Sequence, residues 1–168
     1  MRRVSLVLFV VMLFSAVAIG GTHVAAQDAT PAAGPVGVSA TLLGSGKTTA
    51  APGHELSLRR VTIEPGGSIP AHTHPGALVI YVESGAWGYT TLGGLAQITR
   101  AATNGTPGPT EDMPVGEEVM LAAGDWLYVE DPADDIRNTG DEPVVLLIAG
   151  LTRVGEPFTA LMAATPTP

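Results

Sequence analysis

"PGGSIPAHTHPGALVIYVESG", residues Pro65 to Gly85, places two histidines in a His-x-His arrangement between a Pro-Gly-Gly turn and an apolar run. In extended chain, residues two apart point to the same side, so His72 and His74 can offer both imidazoles to one point while Thr73 turns away. That spacing suits a metal ion. From Leu78 to Val82 nearly every residue is apolar, which predicts a strand covered on both faces, and Val144 to Ile148 repeats the pattern.

Working outward, runs of strand character bounded by Gly, Pro, Asn or Asp recur at Leu56 to Ile63, Ala86 to Leu92, Ala96 to Arg100, Glu118 to Leu121 and Asp125 to Val129. With the two apolar runs this makes about seven strands in about a hundred residues, a density that predicts an all-β barrel or sandwich. The stretch 101–116, rich in Thr, Pro and Gly, lacks periodicity and is expected to be a surface loop between two halves of the sheet. The whole chain has 168 residues, 21 of them Gly and 14 Pro, with 14% charged, which is poor material for a helical bundle.

The absence of Cys removes a disulfide framework, thiolate metal sites and a cysteine nucleophile. Lys and Arg number 8 against 16 Asp and Glu, a formal charge of -8, so a nucleic-acid partner held through phosphates is not expected. No G-x-S-x-G elbow occurs. "GSGKTT" (Gly44 to Thr49) resembles the end of a phosphate loop, but it lacks the first glycine and a preceding strand.

Met1, Arg2 and Arg3 precede an apolar run from Val4 to Ile19, and Val24 and Ala26 form a small-residue cleavage pattern. The expectation is a signal peptide over 1–26, cleaved after Ala26, and a secreted or extracytoplasmic protein with no stable membrane insertion. An uncleaved N-terminal anchor is the alternative. Residues 27–52 and 161–168, built of small residues and Pro, are expected to be flexible low-complexity tails around a single folded domain at 53–160.

The stretch from Pro65 resembles the first motif of the cupin family, which runs Gly, five residues, His-x-His, three or four residues, Glu, six residues, Gly. Gly66, His72, His74 and Gly85 fall on that spacing. The second family motif is Gly, five residues, Pro-x-Gly, two residues, His, three residues, Asn. It is matched by "GDWLYVEDPADDIRNTGDEP" (Gly124 to Pro143) in its opening Gly-Asp, its apolar strand and its closing turn with Asn138. The resemblance covers residues 53–151 and implies a double-stranded β-helix, the jelly-roll barrel. In that family the metal is typically held by the two histidines and the Glu of the first motif and the His of the second.

Two of those ligands are missing here. The Glu position falls on Leu78 and the His position on Asp134, or on Asp135 if a gap lies elsewhere. Glu83 is no substitute, because Leu78, Ile80 and Val82 share one face and Glu83 points the other way. His72 and His74 with Asp134, or with Asp135 in its place, would form a two-histidine, one-carboxylate set suited to a divalent Fe, Mn or Zn. The competing reading is a barrel that binds an organic ligand, or nothing, with no metal at all. The cluster Glu130, Asp131, Asp134, Asp135 otherwise reads as a solvated turn, since the alternating pattern of a calcium loop is lacking.

Trp87 with Tyr89, and Trp126 with Tyr128, stand two apart on strands, so each pair shares a face. They belong to the core or, with Leu78, to the wall of a ligand pocket. Arg59 and Arg60 interrupt their strand and are assigned no function, and His54 is read as an ordinary surface histidine. The expected function is binding of a small molecule, together with a divalent metal, in a secreted cupin barrel. The alternatives are a metal-dependent enzyme of dioxygenase or isomerase type and an extracellular structural protein. A homodimer paired through sheets is compatible with the fold.

Overall fold

In the strand Val144–Arg153, burial alternates without a break: Val144, Leu146, Ile148, Gly150 and Thr152 face inward and the residues between them are half-buried. The expectation of cover on both faces is therefore corrected. The outward side of Leu78 to Val82 carries Val79 and Tyr81, which are exposed. An apolar outer face is what misled the reading, because hydropathy alone cannot say whether a second layer covers it.

The computed structural model describes residues 34–163. The proposed signal peptide, residues 27–33 of the arm and residues 164–168 lie outside the described residues. Nine strands form one connected sheet: β1 (Val36–Lys47), β2 (His54–Thr73), β3 (Gly76–Ser84), β4 (Ala86–Thr99), β5 (Thr110–Asp112), β6 (Glu118–Ala122), β7 (Trp126–Arg137), β8 (Val144–Arg153) and β9 (Ala160–Leu161). There is no helix among the described residues. Antiparallel pairings β2–β8, β8–β3, β3–β7 and β7–β2 close a ring, so this is an all-β barrel of the jelly-roll kind.

Three details differ from the sequence reading. Residues 36–47 of the supposed arm form β1, which pairs antiparallel with β2 from Val36↔Ser68 to Lys47↔Glu55. Its side chains are mostly exposed, so backbone pairing rather than apolar burial holds it, and composition could not reveal that. The runs Ala86 to Leu92 and Ala96 to Arg100 are one strand, β4, interrupted by register shifts around Gly93. The stretch 101–116 is not all loop, for it supplies β5 and the buried Met113.

The long β2 bends at the Pro-Gly-Gly turn, and Asn138 pins the bend. Gly66 adopts a positive φ of 73°, and a Cβ on Gly67 would approach the Glu64 carbonyl to 2.8 Å, so both positions require glycine. The backbone N–H of Gly66 donates to the Asn138 carbonyl and that of Asn138 to the Gly67 carbonyl. The buried Asn138 amide donates to the carbonyls of Ile63 and Glu142, and its oxygen accepts from Gly140. The bend turns the second half of β2 onto β7, carrying His72 with it.

Ile63, Val82, Leu127, Val129 and Val144 fill one end of the barrel and are fully buried. Toward the other end, in register steps from Ile63↔Val144 to Arg59↔Ile148, the interior opens into a cavity.

Candidate metal centre

His72 and His74 both point into the barrel, as their spacing predicts, and their rings stand edge to face with centroids 5.0 Å apart. Each ring is oriented from behind by a backbone carbonyl, which can only accept. His72 donates its Nδ1–H to Pro70 at 3.0 Å, and His74 donates its own to Phe158 at 2.5 Å. Both Nε2 atoms are thereby turned toward the carboxylate of Asp134, which β7 brings opposite His72 in the register. One donor atom from each of His72, His74 and Asp134 lies within 4.8 Å of the others, and all three residues are buried.

The choice between Asp134 and Asp135 is settled by a bulge. Leu127 and Val129 face inward, and strict alternation from them would bring Asp131 and Asp135 inside. Asp131 instead takes a positive φ of 39°, and from there Pro132, Asp134 and Ile136 are the buried positions. Asp135 faces outward and is no ligand. Glu130 and Asp131 are exposed, as a solvated reading requires, but they lie within β7 rather than in a turn, and Asp131 pairs with Arg153 at 2.8 Å. Glu83 is outside the barrel and bonded to Arg60.

His72 Nε2 sits 2.9 Å from Asp134 Oδ1, and the other carboxylate oxygen accepts from the Tyr89 hydroxyl at 3.1 Å. Burial pulls the His72 pKa down, but the hydrogen bond and charge of Asp134, then the Pro70 carbonyl, outweigh it and hold it above the usual value. For His74 burial dominates and keeps it below the usual value, with the charges of His72 and Arg59 acting in the same sense against that of Asp134. Burial, then the Asp134 charge, raise the Tyr89 phenol far above its ordinary range, so it remains a donor.

This donor set fits a divalent transition metal. Two imidazole nitrogens and a carboxylate oxygen converge, each is oriented by a second partner, and most of the residues around them are apolar, with Arg59, Tyr89 and Thr159 the exceptions. The bonds to Pro70, Phe158 and Tyr89 were not legible in the sequence, since two are made by backbone oxygens and the third spans 45 positions of chain.

A cavity of about 280 Å³ adjoins the three residues. Trp87 and Tyr89 line it, as a pocket reading predicts, with rings edge to face at 5.6 Å. Three other expected wall residues do not. Trp126, 36% exposed, and the half-buried Tyr128 alternate with the inward Leu127 and Val129, so they lie on the outer face. Leu78 is buried beyond the cavity, against Gly150. Arg59 and Phe158 are among the wall residues that escaped the sequence reading. Arg59 shares the inward face of Ser57, Val61 and Ile63, a parity that the sequence does contain, and Phe158 comes from the segment before β9.

No protein-family model matches the chain, and no curated protein matches it. Similar solved structures include a cupin-2 domain protein from Halorhodospira halophila, at 19% identity and a TM-score of 0.44 over 72% of this chain and 70% of that one. The DMSP lyase from Ruegeria pomeroyi is 18% identical with a TM-score of 0.41, over 74% of this chain and 51% of the lyase. Oxalate decarboxylase from Bacillus subtilis, a protein with Mn(II) centres, is 21% identical with a TM-score of 0.39, over 70% of this chain and 30% of the decarboxylase. The chain thus spans about half the length of the lyase and under a third of the decarboxylase. The Halorhodospira protein is described as a cupin-2 domain protein, and cupins are the family whose motif frame this sequence resembles.

Proposed function

We propose that this chain is a secreted cupin barrel that binds a small molecule beside a divalent transition metal held by His72, His74 and Asp134. One observation carries the reading: Pro70 and Phe158 hold both Nδ1 atoms, so the two Nε2 atoms and the Asp134 carboxylate come together beside a largely apolar cavity. When bound, an ion there would polarise an oxygen ligand or make a bound water more acidic. Tyr89 holds the carboxylate in place, and the apolar wall limits access of bulk water. An ion held by only three protein ligands would keep positions for water or substrate, which makes a metal-dependent enzyme of dioxygenase or isomerase type the second reading. Fe, Mn and Zn are all compatible with these donors.

Elemental mass spectrometry of the purified protein, before and after chelation, tests the metal. Near-stoichiometric metal in wild type that is lost in His72→Ala and in His74→Ala, with both variants folded, supports the reading. Equal content in wild type and variants would overturn it. Export has its own test, since N-terminal sequencing of secreted material should begin near Gln27, and recovery of membrane-bound chain beginning at Met1 would favour the anchor.

A further inference from the structure

Every other arginine among the described residues faces a carboxylate: Arg60 pairs with Glu83, Arg100 with Asp125, Arg137 with Glu118, and Arg153 with both Asp131 and Glu156. Arg59 pairs with none. Its guanidinium instead lies on the Phe158 ring, 4.1 Å from the centroid, on the wall of the cavity. Its Nε is buried and has no hydrogen-bond partner.

A second donor in the same cavity is equally bare. Trp87 is 1% exposed, lines the cavity, and its indole Nε1–H has no partner among the described residues. Buried donors are normally satisfied, and the half-buried Arg59 guanidinium has no carboxylate beside its buried Nε. The carboxylate in the cavity wall is already engaged, because the two oxygens of Asp134 serve His72 and Tyr89. Two residues with unspent donors, one of them cationic, line a space whose remaining wall is largely Val, Ile and Leu, with His72, His74, Tyr89 and Asp134 grouped in the metal-site cluster. Planar guanidinium geometry matches a carboxylate.

We infer that Arg59 and Trp87 hold the carboxylate of a small organic acid whose apolar body fills the cavity. The inference rests on the reading of that cavity as a ligand site and names the chemical class it takes. Metal content plays no part in it, because both donors belong to the chain itself.

The test is calorimetric titration with benzoate and its neutral counterpart benzamide, on metal-loaded and chelated protein, in wild type, Arg59→Gln and Arg59→Lys. Trp87 fluorescence, read in a Trp126→Phe background, reports filling of the cavity independently. Benzoate should bind wild type at least about tenfold tighter than benzamide, with or without metal, since a charge-assisted hydrogen bond to carboxylate contributes that much. Arg59→Gln should abolish the preference for benzoate over benzamide, and Arg59→Lys should restore part of it. Equal binding of the two probes, no binding of either, or a preference that survives Arg59→Gln would overturn the inference. So would a preference lost on chelation and untouched by Arg59→Gln, which would assign the carboxylate to the metal. Metal analysis of the same samples separates each of these results from failure of the metal site.

Discussion

The Nε2 of His72 and the Oδ1 of Asp134 lie 2.9 Å apart with both side chains only 2% exposed, and His72 Nδ1 is already committed to the Pro70 carbonyl. Without a metal both ring nitrogens face acceptors, so the arrangement is satisfied by the imidazolium. His72 accordingly sits above its usual pKa despite burial. A raised folded-state pKa contributes stability that is complete below the unfolded value, about 6.5, and is lost as pH rises through the folded value. Thermal melts in chelator should therefore fall as pH climbs above about 6.5, and Asp134→Asn should flatten that fall. A melting difference between the two proteins that does not change with pH would contradict it.

Metal must displace the proton on His72. Titration with Zn(II) or Mn(II) in buffers of different ionisation enthalpy should show proton release on binding, and affinity should rise with pH across the same window. Binding with no proton release would mean that His72 is neutral beforehand.

Tyr89 holds the far oxygen of Asp134. Tyr89→Phe keeps the ring in its place and removes that bond, so metal affinity should fall by about tenfold to a hundredfold with the fold retained. Competition with a chelator of known affinity measures this, and unchanged affinity would show that Asp134 needs no such support.

Asn138→Ala should be the most costly change outside the cavity. It strips the carbonyls of Ile63 and Glu142 of their donor and frees the bend of β2, a loss of about 2 to 4 kcal/mol. Urea unfolding should show a lower midpoint at an unchanged slope. Metal binding should weaken as well, because the same bend carries His72 onto β7.

On the outer face, adjacent rows place Leu58, Ala149, Val79 and Tyr128 across four strands, and beside them Arg60, Leu147, Tyr81 and Trp126. Leu58, Val79, Tyr81 and Trp126 are exposed. Such a patch is expected to pair with a second copy, and Tyr81→Lys should shift sedimentation toward monomer at micromolar concentration. Monomeric wild type under those conditions would dismiss the pairing.

How much of this was legible turns on particular residues. His72 and His74 could be read because strand alternation needs nothing beyond local chain, and the same rule placed Glu83 outside. Asp134 could be narrowed only to itself or its neighbour, since the bulge at Asp131 shifts the parity and no residue type announces it. Trp126 and Tyr128 were indistinguishable by spacing from Trp87 and Tyr89; which pair faces inward depends on the strands they flank. Strand β1 was hidden because its hold is in backbone pairing. Arg59 was legible in principle, by counting back from Ile63, but a charged residue on an inward face runs against expectation until the cavity is seen.

Gly150 is where the second ligand's support is anchored. A Cβ there would come within 2.9 Å of both Leu78 and the Phe158 ring, while the Phe158 carbonyl holds His74. The candidate metal site therefore draws on chain positions 84 residues apart, and the support of His74 is complete only once the last of them has been synthesised and folded back. If the chain is exported unfolded, as proposed, the compartment where the barrel closes, rather than the one where it is translated, would decide which metal it acquires. Nitrogen and oxygen donors rank divalent ions by intrinsic affinity alone, so the supply at the place of folding would set the occupant.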